Sequence, residues 1–288
     1  MRRDVAGAAD LPALYGFAQR IWSPGGRWHA GELAWNLGQV PDGRPEWPMA
    51  LWEADGSVLA WGWVVRPEDE LSLLVDPARP DLVDEVLDWA GTVTTGPLTV
   101  TVLDTERHLV AALLRRGHTA DHGGTFLLAH RRDLDELPPV PRLPAGLTVR
   151  PVRGEADLVR RTAVHREVWH PSQVTEERFR NVSAGWPYRG EFDMVVEAPD
   201  GRFLAYCLGW YDEVNRVGVL EPVGTLAEFR GQGLARATIE AVLRAFREAG
   251  ARTALVSSRG DDDYPVPRQV YAALGFTPYA RTVRYRRR

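Results

Sequence analysis

The sequence lacks the residues that disulfide, metal or membrane chemistry would need. Its 288 residues include a single cysteine, Cys207, which excludes an internal disulfide and a cysteine-based zinc cluster. It has no apolar run of the roughly 18 residues that a membrane span needs and no signal-like start, so we expect a cytoplasmic protein without a membrane segment. The histidines show no His-Glu-x-x-His spacing, so no metal site is expected. The net charge of −4 argues against nucleic acid as a partner.

The chain repeats itself, which indicates two copies of one domain. Seven residues between Arg3 and Trp22 recur in the same order and spacing between Arg150 and Trp169. A second match joins Glu53-Ala54-Asp55-Gly56 to Glu197-Ala198-Pro199-Asp200-Gly201. The stretch Leu137–Pro144 contains four prolines, which is typical of a stiff extended linker. We therefore predict a first domain over residues 1–136, a linker over 137–146 and a second domain over 147–288.

The second copy predicts a mixed α/β sheet domain. An Asp200-Gly201 turn between two apolar runs predicts a hairpin, and Gly250 is placed to end a long helix. That helix, over 233–249, carries its apolar residues at i, i+3, i+4 and i+7 (Ile239, Val242, Leu243 and Phe246). We predict strands over 147–152, 193–198, 202–211, 216–225, 253–258 and 277–287, and helices over 156–168, 233–249 and 266–273.

Between the fourth of these strands and the long helix, a short glycine-containing loop predicts an anion site. Unpaired N–H groups at a helix start point outward and favour negative charge, and glycine allows an anion to approach the backbone closely. The loop lacks the Gly-Lys-Ser/Thr of a P-loop and the third glycine of a dinucleotide fingerprint. Its central residues are Arg230-Gly231-Gln232-Gly233-Leu234-Ala235.

These six residues resemble the main motif of the GNAT acyltransferase superfamily, Arg/Gln-x-x-Gly-x-Gly/Ala. A second family motif, Tyr-x-x-x-Gly-Phe, is similar to Tyr271-Ala272-Ala273-Leu274-Gly275-Phe276. The resemblance implies two tandem GNAT-like domains and acetyl-CoA as the donor, with its pantetheine arm beside the preceding strand and its pyrophosphate in the loop. The coenzyme-binding residues that it implies are Val223, Gly224, Thr225, Arg230, Gly231, Gln232, Gly233, Leu234 and Ala235.

Two residues are candidates for proton transfer. The resemblance makes Tyr271 the general acid for the departing thiolate, and Glu221 the base that receives the amine proton. Strand alternation predicts that Glu221 shares a face with Val223 and Thr225. Pro222 cannot donate to a strand ladder, so the strand is expected to be unpaired or bulged there, leaving an amide near Val223 as an oxyanion donor. No Ser-His-Asp set or reactive cysteine is evident, which favours direct attack in a ternary complex.

The sequence departs from the family pattern at one position. Relatives often carry asparagine seven residues before the tyrosine, where this chain has Tyr264. Ser257 or Ser258 could replace that contact. Aromatic residues that could line an acceptor pocket are Trp169, Trp186, Tyr188, Trp210 and Tyr211.

The first copy lacks both motifs. Its counterpart of the glycine loop holds Asp81, Asp84 and Glu85, whose charges would repel a pyrophosphate, and the counterpart of the tyrosine is Leu113. We therefore expect this copy to complete the fold or to shape the acceptor pocket rather than to bind the coenzyme.

The sequence thus predicts an acetyl-CoA-dependent N-acetyltransferase that acts on a primary amine of a small molecule, as a monomer or homodimer. A longer acyl donor, a hydroxyl acceptor, a protein lysine acceptor and an acyl-CoA-binding regulator without turnover remain alternatives.

Overall fold

The computed structural model describes residues 1–39, 47–66, 68–139 and 141–287. Within the first half of the chain it has seven strands and four helices. The strands are β1 (Arg2–Asp4), β2 (Met49–Ala54), β3 (Ser57–Val65), β4 (Glu70–Val75), β5 (Thr99–Leu103), β6 (His118–Asp121) and β7 (Leu127–Asp133). The helices are α1 (Leu11–Ile21), α2 (Ala30–Gly38), α3 (Leu82–Val93) and α4 (Arg107–Arg115).

In the second half, every predicted strand and helix is present, and no bound differs by more than two residues. The strands are β8 (Thr148–Pro151), β9 (Asp193–Glu197), β10 (Phe203–Asp212), β11 (Val217–Thr225), β12 (Thr253–Arg259) and β13 (Thr277–Arg287). The helices are α5 (Gly154–Val168), α6 (Glu176–Ser183), α7 (Leu234–Glu248) and α8 (Val266–Ala273). The mixed α/β fold is confirmed; α6 was not predicted. Among the described residues, no helix is long and apolar enough to cross a bilayer.

The proline-rich linker has neither helix nor strand at residues 137–139 and 141–144, while Val140 lies outside the described residues. Proline cannot donate to a ladder and disrupts helices, which explains the irregular backbone. The apolar stripe of α7 packs as predicted, since Ile239, Val242, Leu243 and Phe246 are fully buried.

All thirteen strands form one continuous sheet, in which the two copies exchange a strand. The order is β1-β2-β3-β4-β5-β13-β7-β12-β11-β10-β9-β8, and β6 pairs with β13. Strand β7 of the first copy pairs with β12 of the second, and β13 at the end of the second copy pairs with β5 of the first. The sheet therefore runs across the predicted domain boundaries, and each copy contributes a strand to the other.

The predicted repeat is accompanied by equivalent ion pairs. In each copy an arginine of the first strand contacts an aspartate near the first helix and a glutamate of the second strand. Arg3 lies 2.8 Å from Asp10 and 2.7 Å from Glu53. Arg150 lies 2.5 Å from Asp157 and 2.6 Å from Glu197.

Helix α2 of the first copy packs directly on strand β10 of the second. A Cβ added to Gly31 would lie 2.1 Å from Cβ of Trp210, so only glycine permits this approach. Trp210 belongs to a buried cluster that also contains Leu33 of α2 and Leu208 of β10. This packing brings the start of α2 next to strand β11, where the candidate active site lies.

Candidate active site

The predicted glycine loop joins β11 to α7 with two left-handed residues. A short 3-10 turn over Ala227–Phe229 is followed by Gly231 and Gly233, both with φ of +77°. Residues with a Cβ are strained in this region, so both positions require glycine. Gly233 is the N-cap of α7, and the residues from Arg230 to Gly233 are exposed.

The main-chain amides of this loop are free to bind a ligand. Within residues 1–39, 47–66, 68–139 and 141–287, the amides of residues 231–236 have no hydrogen-bond acceptor. Six adjacent free donors at a helix start provide a binding surface for an anion. Arg230, whose Nε donates to the Thr225 carbonyl at 3.4 Å, adds an exposed positive charge.

In the corresponding loop of the first copy, main-chain amides donate to carbonyl groups of the same loop. The amides of Leu82, Val83 and Asp84 donate to the carbonyls of Arg79, Pro80 and Asp81 at distances of 3.1, 3.3 and 3.2 Å. The Arg79 guanidinium pairs with the Asp81 carboxylate at 2.6 Å. Three of the donors that could hold an anion are therefore already used.

Strand β11 separates from its neighbour after a short paired segment. It pairs with β12 only at Val217–Val219, opposite Thr253–Leu255, although both strands continue further. We call the opening beyond this paired segment the gap. The register with β10 also shifts, since Cys207 faces Val223 whereas Gly209 faces Leu220, which leaves one extra residue on β11. The bulge predicted at Pro222 is thus confirmed.

The bulge reverses which way Glu221 points, so the prediction that it shares a face with Val223 and Thr225 was wrong. Val223 lies opposite Cys207 and packs into the cluster beneath α7. Glu221 instead lines a cavity on the other face of the sheet, together with Val219. One inserted residue is enough to invert the alternation of a strand.

The cavity, which we call the acidic cavity, has a volume of about 200 Å³ and is built by both copies. Strands β11 and β12 supply Glu221 and Ser257. The first copy contributes residues that precede or begin α2: Trp22, Gly26, Arg27, Trp28, His29, Glu32 and Asn36. The first copy therefore forms part of the wall of this cavity.

Two carboxylates face this cavity. Burial raises the pKa of Glu221 to about 7. The pKa of Glu32 is raised to about 8, mainly by burial and to a smaller extent by repulsion from Glu221. Both groups can therefore exchange protons near neutral pH, which is the property that a catalytic base needs. The Trp210 indole N–H fixes the backbone at this point by donating to the Glu221 carbonyl at 2.6 Å.

Tyr271 lies on α8 and is buried beneath α7. Its ring contacts Phe276 at 6.0 Å and His130 at 6.1 Å between centroids. Burial, and then the nearby Cys207 and Glu221, raise the pKa of its hydroxyl above the ordinary value. The phenol therefore keeps its proton across the physiological pH range, which is the form that a general acid must have before it reacts.

Part of the chain is similar in sequence to known proteins. Residues 161–276 match the acetyltransferase (GNAT) family. A mycothiol acetyltransferase of Tsukamurella paurometabola is 28% identical over 55% of this chain and 58% of its own. One from Actinosynnema mirum is 31% identical over 54% of this chain and 52% of its own. The chain thus matches little more than half the length of these relatives.

Solved GNAT structures resemble the whole chain in fold. A tandem GNAT protein from the clavulanic acid biosynthesis pathway superposes with a TM-score of 0.65 at 19% identity, over 99% of this chain and 97% of its own. A GCN5-related N-acetyltransferase from Sphaerobacter thermophilus gives 0.62 at 21% identity, over 100% and 95%. At these identities the likeness concerns the fold.

The structure places the other residues that the sequence singled out as follows. The aromatic residues expected near the acceptor do not line the acidic cavity; Trp210 and Tyr211 are core residues, and Trp22, Trp28 and Tyr279 line it instead. Ser257 does line the cavity, whereas the Ser258 hydroxyl contacts Nε2 of His130 at 2.8 Å.

Sequence reasoning missed the contribution of Arg27, His29 and Glu32. Glu32 lies three residues after His29, at the start of α2, and its Oε2 accepts the His29 amide at 2.9 Å. This is a capping box, so the local pattern is satisfied without any role in a site. Only the packing of α2 on β10 reveals that these residues face Glu221.

Proposed function

We propose that the chain transfers an acetyl group from acetyl-CoA to a primary amine of a small molecule. The observation that carries the proposal is that two different sites reach the same strand. The candidate anion-binding loop follows β11 at the start of α7. The acidic cavity is lined by Val219 and Glu221 of β11, on the face of the sheet opposite to the one on which Val223 packs. A donor held at the loop and an amine held in the cavity could therefore meet through the gap.

The residues of the second copy fit coenzyme A. The free amides of residues 231–236 suit its diphosphate, and Arg230 adds a positive charge. The interrupted pairing between β11 and β12 leaves main-chain groups of Val223 to Thr225 available to an extended arm. When bound, the thioester supplies the acyl group. We propose that this loop and strand hold the coenzyme through Val223, Gly224, Thr225, Arg230, Gly231, Gln232, Gly233, Leu234 and Ala235.

The protein groups divide the proton transfers between them. Glu221 accepts the proton that an ammonium must lose before its nitrogen can attack a carbonyl carbon. A main-chain amide of β11 near Val223 donates to the oxyanion that forms as the C–N bond is made. Tyr271 donates its proton to the thiolate as the C–S bond breaks. The second proton that the nitrogen loses as the amide forms passes to solvent, and Tyr271 regains one from solvent. Attack is direct, because Cys207 is fully buried with a raised thiol pKa.

We further propose that only the second copy binds coenzyme A. In the first copy the amides of Leu82, Val83 and Asp84 are already hydrogen-bonded. Asp81, Asp84 and Glu85 place three carboxylates at the start of α3, of which Asp81 and Asp84 are paired with arginines. Leu113, which stands in place of the tyrosine, is buried in α4 and has no ionisable group that could donate a proton. The boundaries at 136 and 147 remain predictions for the extent of the two copies.

The size of the acidic cavity favours a small acceptor over a lysine on a protein surface. A volume of about 200 Å³, walled by both copies, accommodates a compact amine. An acyl-CoA-binding regulator is the second candidate, because the loop would bind the coenzyme whether or not turnover followed.

A turnover assay distinguishes these candidates. The full chain is incubated with acetyl-CoA and a panel of small primary amines, and thiol release and acetylated products are measured. We expect at least one amine to be acetylated, and Tyr271→Phe to lower kcat by roughly 10²-fold or more while coenzyme affinity is kept. Coenzyme binding without thiol release for any amine would favour the regulator.

A further inference from the structure

We propose that Glu32 of the first copy binds the acceptor directly, as the second carboxylate of a site that selects amines in their ammonium form. This deepens the proposed function and rests on it for the identity of the acidic cavity as the acceptor site. Glu221 would then receive the proton, while Glu32 holds the positive charge.

The first step of the argument is that neither carboxylate has a cationic partner. Within the described ranges 1–39, 47–66, 68–139 and 141–287, no ion pair involves Glu32 or Glu221. Glu32 uses Oε2 for the His29 amide at 2.9 Å, and its Oε1 accepts no hydrogen bond from those residues. The Glu221 carboxylate accepts none from them at all. Both side chains are partly exposed, which leaves their free oxygens accessible to a ligand, and a bound cation would pair both.

The other charged groups facing the cavity leave this acidic character in place. Arg27 directs Nη1 to the Thr101 carbonyl at 2.5 Å, and its backbone amide donates to the Glu106 carboxylate at 3.2 Å. The side chain of His29 accepts from the Gly31 amide at 3.0 Å, and burial lowers its pKa to about 4, so it is neutral. The cavity therefore combines two carboxylates with one arginine, whose charge acts to lower the pKa of Glu32 but which makes no ion pair with it among the described residues.

The second step is that the two carboxylates are held in a fixed relation. Trp210 of β10 contacts both elements: its Cβ packs against Gly31, one residue before Glu32, and its indole N–H donates to the Glu221 carbonyl. Gly31 permits this contact because it lacks a Cβ. Glu32 thus belongs to a rigid part of the wall rather than to a mobile loop, which is the arrangement that favours selective binding.

The third step concerns the chemical class of the ligand. The rest of the wall includes the aromatic side chains of Trp22, Trp28 and Tyr279, which attract a cation as well as apolar groups. Two carboxylates and aromatic faces together suit a small primary ammonium with an apolar or aromatic body. An uncharged alcohol of the same shape would leave both carboxylates unpaired.

The test measures binding without turnover. The full-length protein, saturated with coenzyme A, is titrated with phenethylammonium chloride or with phenethyl alcohol at about pH 8.5, where Glu32, with its pKa of about 8, is mostly ionised and the ammonium keeps its proton. Dissociation constants are measured by ligand-observed NMR. We expect the ammonium to bind at least about tenfold more tightly than the alcohol, since a charge-assisted contact is the stronger one. Glu32→Gln, which keeps an oxygen for the His29 amide, should weaken ammonium binding by about tenfold or more.

Asp69→Asn is the matched control. Asp69 is also a buried carboxylate of the first copy that accepts backbone amides, from Thr95 at 3.0 Å and Gly96 at 2.7 Å, but it does not line the acidic cavity. We expect this variant to bind phenethylammonium as the parent does.

The outcomes separate the inference from the proposed function. Equal ammonium binding by Glu32→Gln and the parent protein, or a parent protein that does not prefer the ammonium over the alcohol, would overturn the role of Glu32. Ammonium binding that depends on Glu32, with no amine acetylated in the turnover assay, would support the site and refute the acetyltransferase. If turnover is found, Glu32→Gln should raise KM for the amine and leave KM for acetyl-CoA unchanged.

Discussion

Replacement of Glu221 by glutamine removes the candidate base while keeping the shape of the acidic cavity. The group lies on a strand bulge and is held through its carbonyl by Trp210, a contact that glutamine preserves. Loss of a positioned base lowers kcat by about 10²- to 10⁴-fold. We therefore expect Glu221→Gln to fold normally, to bind coenzyme A as before and to lose most of its turnover.

The pH dependence gives the sharper test, because its sign is fixed by the chemistry. A base acts in its ionised form, and burial raises the pKa of Glu221 to about 7. Activity should therefore rise with pH through about 7, and at pH 6 only about one tenth of the carboxylate is ionised. Thioester consumption by the parent protein should fall in proportion between pH 8 and pH 6.

In Glu221→Gln the rise in activity through about pH 7 should be absent. Its remaining activity can still depend on pH through the ionisation of the amine itself. Assays with two amines of different basicity separate the two ionisations. The pH at which activity rises because Glu221 ionises should stay the same when the acceptor amine changes. Glu221 is not the base if the activity of Glu221→Gln still rises with pH near 7 and its kcat falls by less than about tenfold.

Two glycine substitutions test the loop and the contact between the copies. Gly233→Ala places a Cβ at φ of +77° with open space around it, so backbone strain of about 1 kcal/mol should weaken coenzyme A binding several-fold in calorimetry. Gly56→Ala, at φ of +74° and also in open space, should leave that affinity unchanged. Gly31→Ala drives a Cβ to 2.1 Å from Trp210 and should lower the free energy of unfolding by about 1–3 kcal/mol in denaturant titration. Gly91→Ala, in an open helical position, should stabilise by about 0.5–1 kcal/mol; equal effects at both positions would contradict the packing argument.

Much of the second copy is predictable because its local signals agree. The apolar stripe of α7, the turn at Gly201 and the glycines at 231 and 233 each specify one backbone conformation. Pro222 even predicts the strand bulge, because proline cannot donate to a ladder.

The face on which Glu221 lies was not predictable from alternation alone. A bulge of one residue reverses the alternation, and the sequence marks that a bulge occurs near Pro222 without fixing which residue is inserted. The registers Cys207↔Val223 and Gly209↔Leu220 are needed to locate it.

The exchange of β7 and β13 depends on contacts distant in sequence. Either strand can add to the free edge of β5 or β12, and local propensity does not distinguish the two partners. The place of Glu32 in the cavity was equally hard to predict. Its capping of α2 already explains why a glutamate stands at this position, so the local sequence gives no sign of a second role. Its place in a site depends on how α2 packs against β10.

A crystal structure of the protein with coenzyme A bound tests the central claim most directly. We predict the diphosphate against the main-chain amides of residues 231–236 and the sulfur in the gap between β11 and β12, on the side from which Glu221 can be reached. Coenzyme A bound instead at the start of α3 beside Asp81, or with its sulfur outside the gap, would contradict the proposed active site.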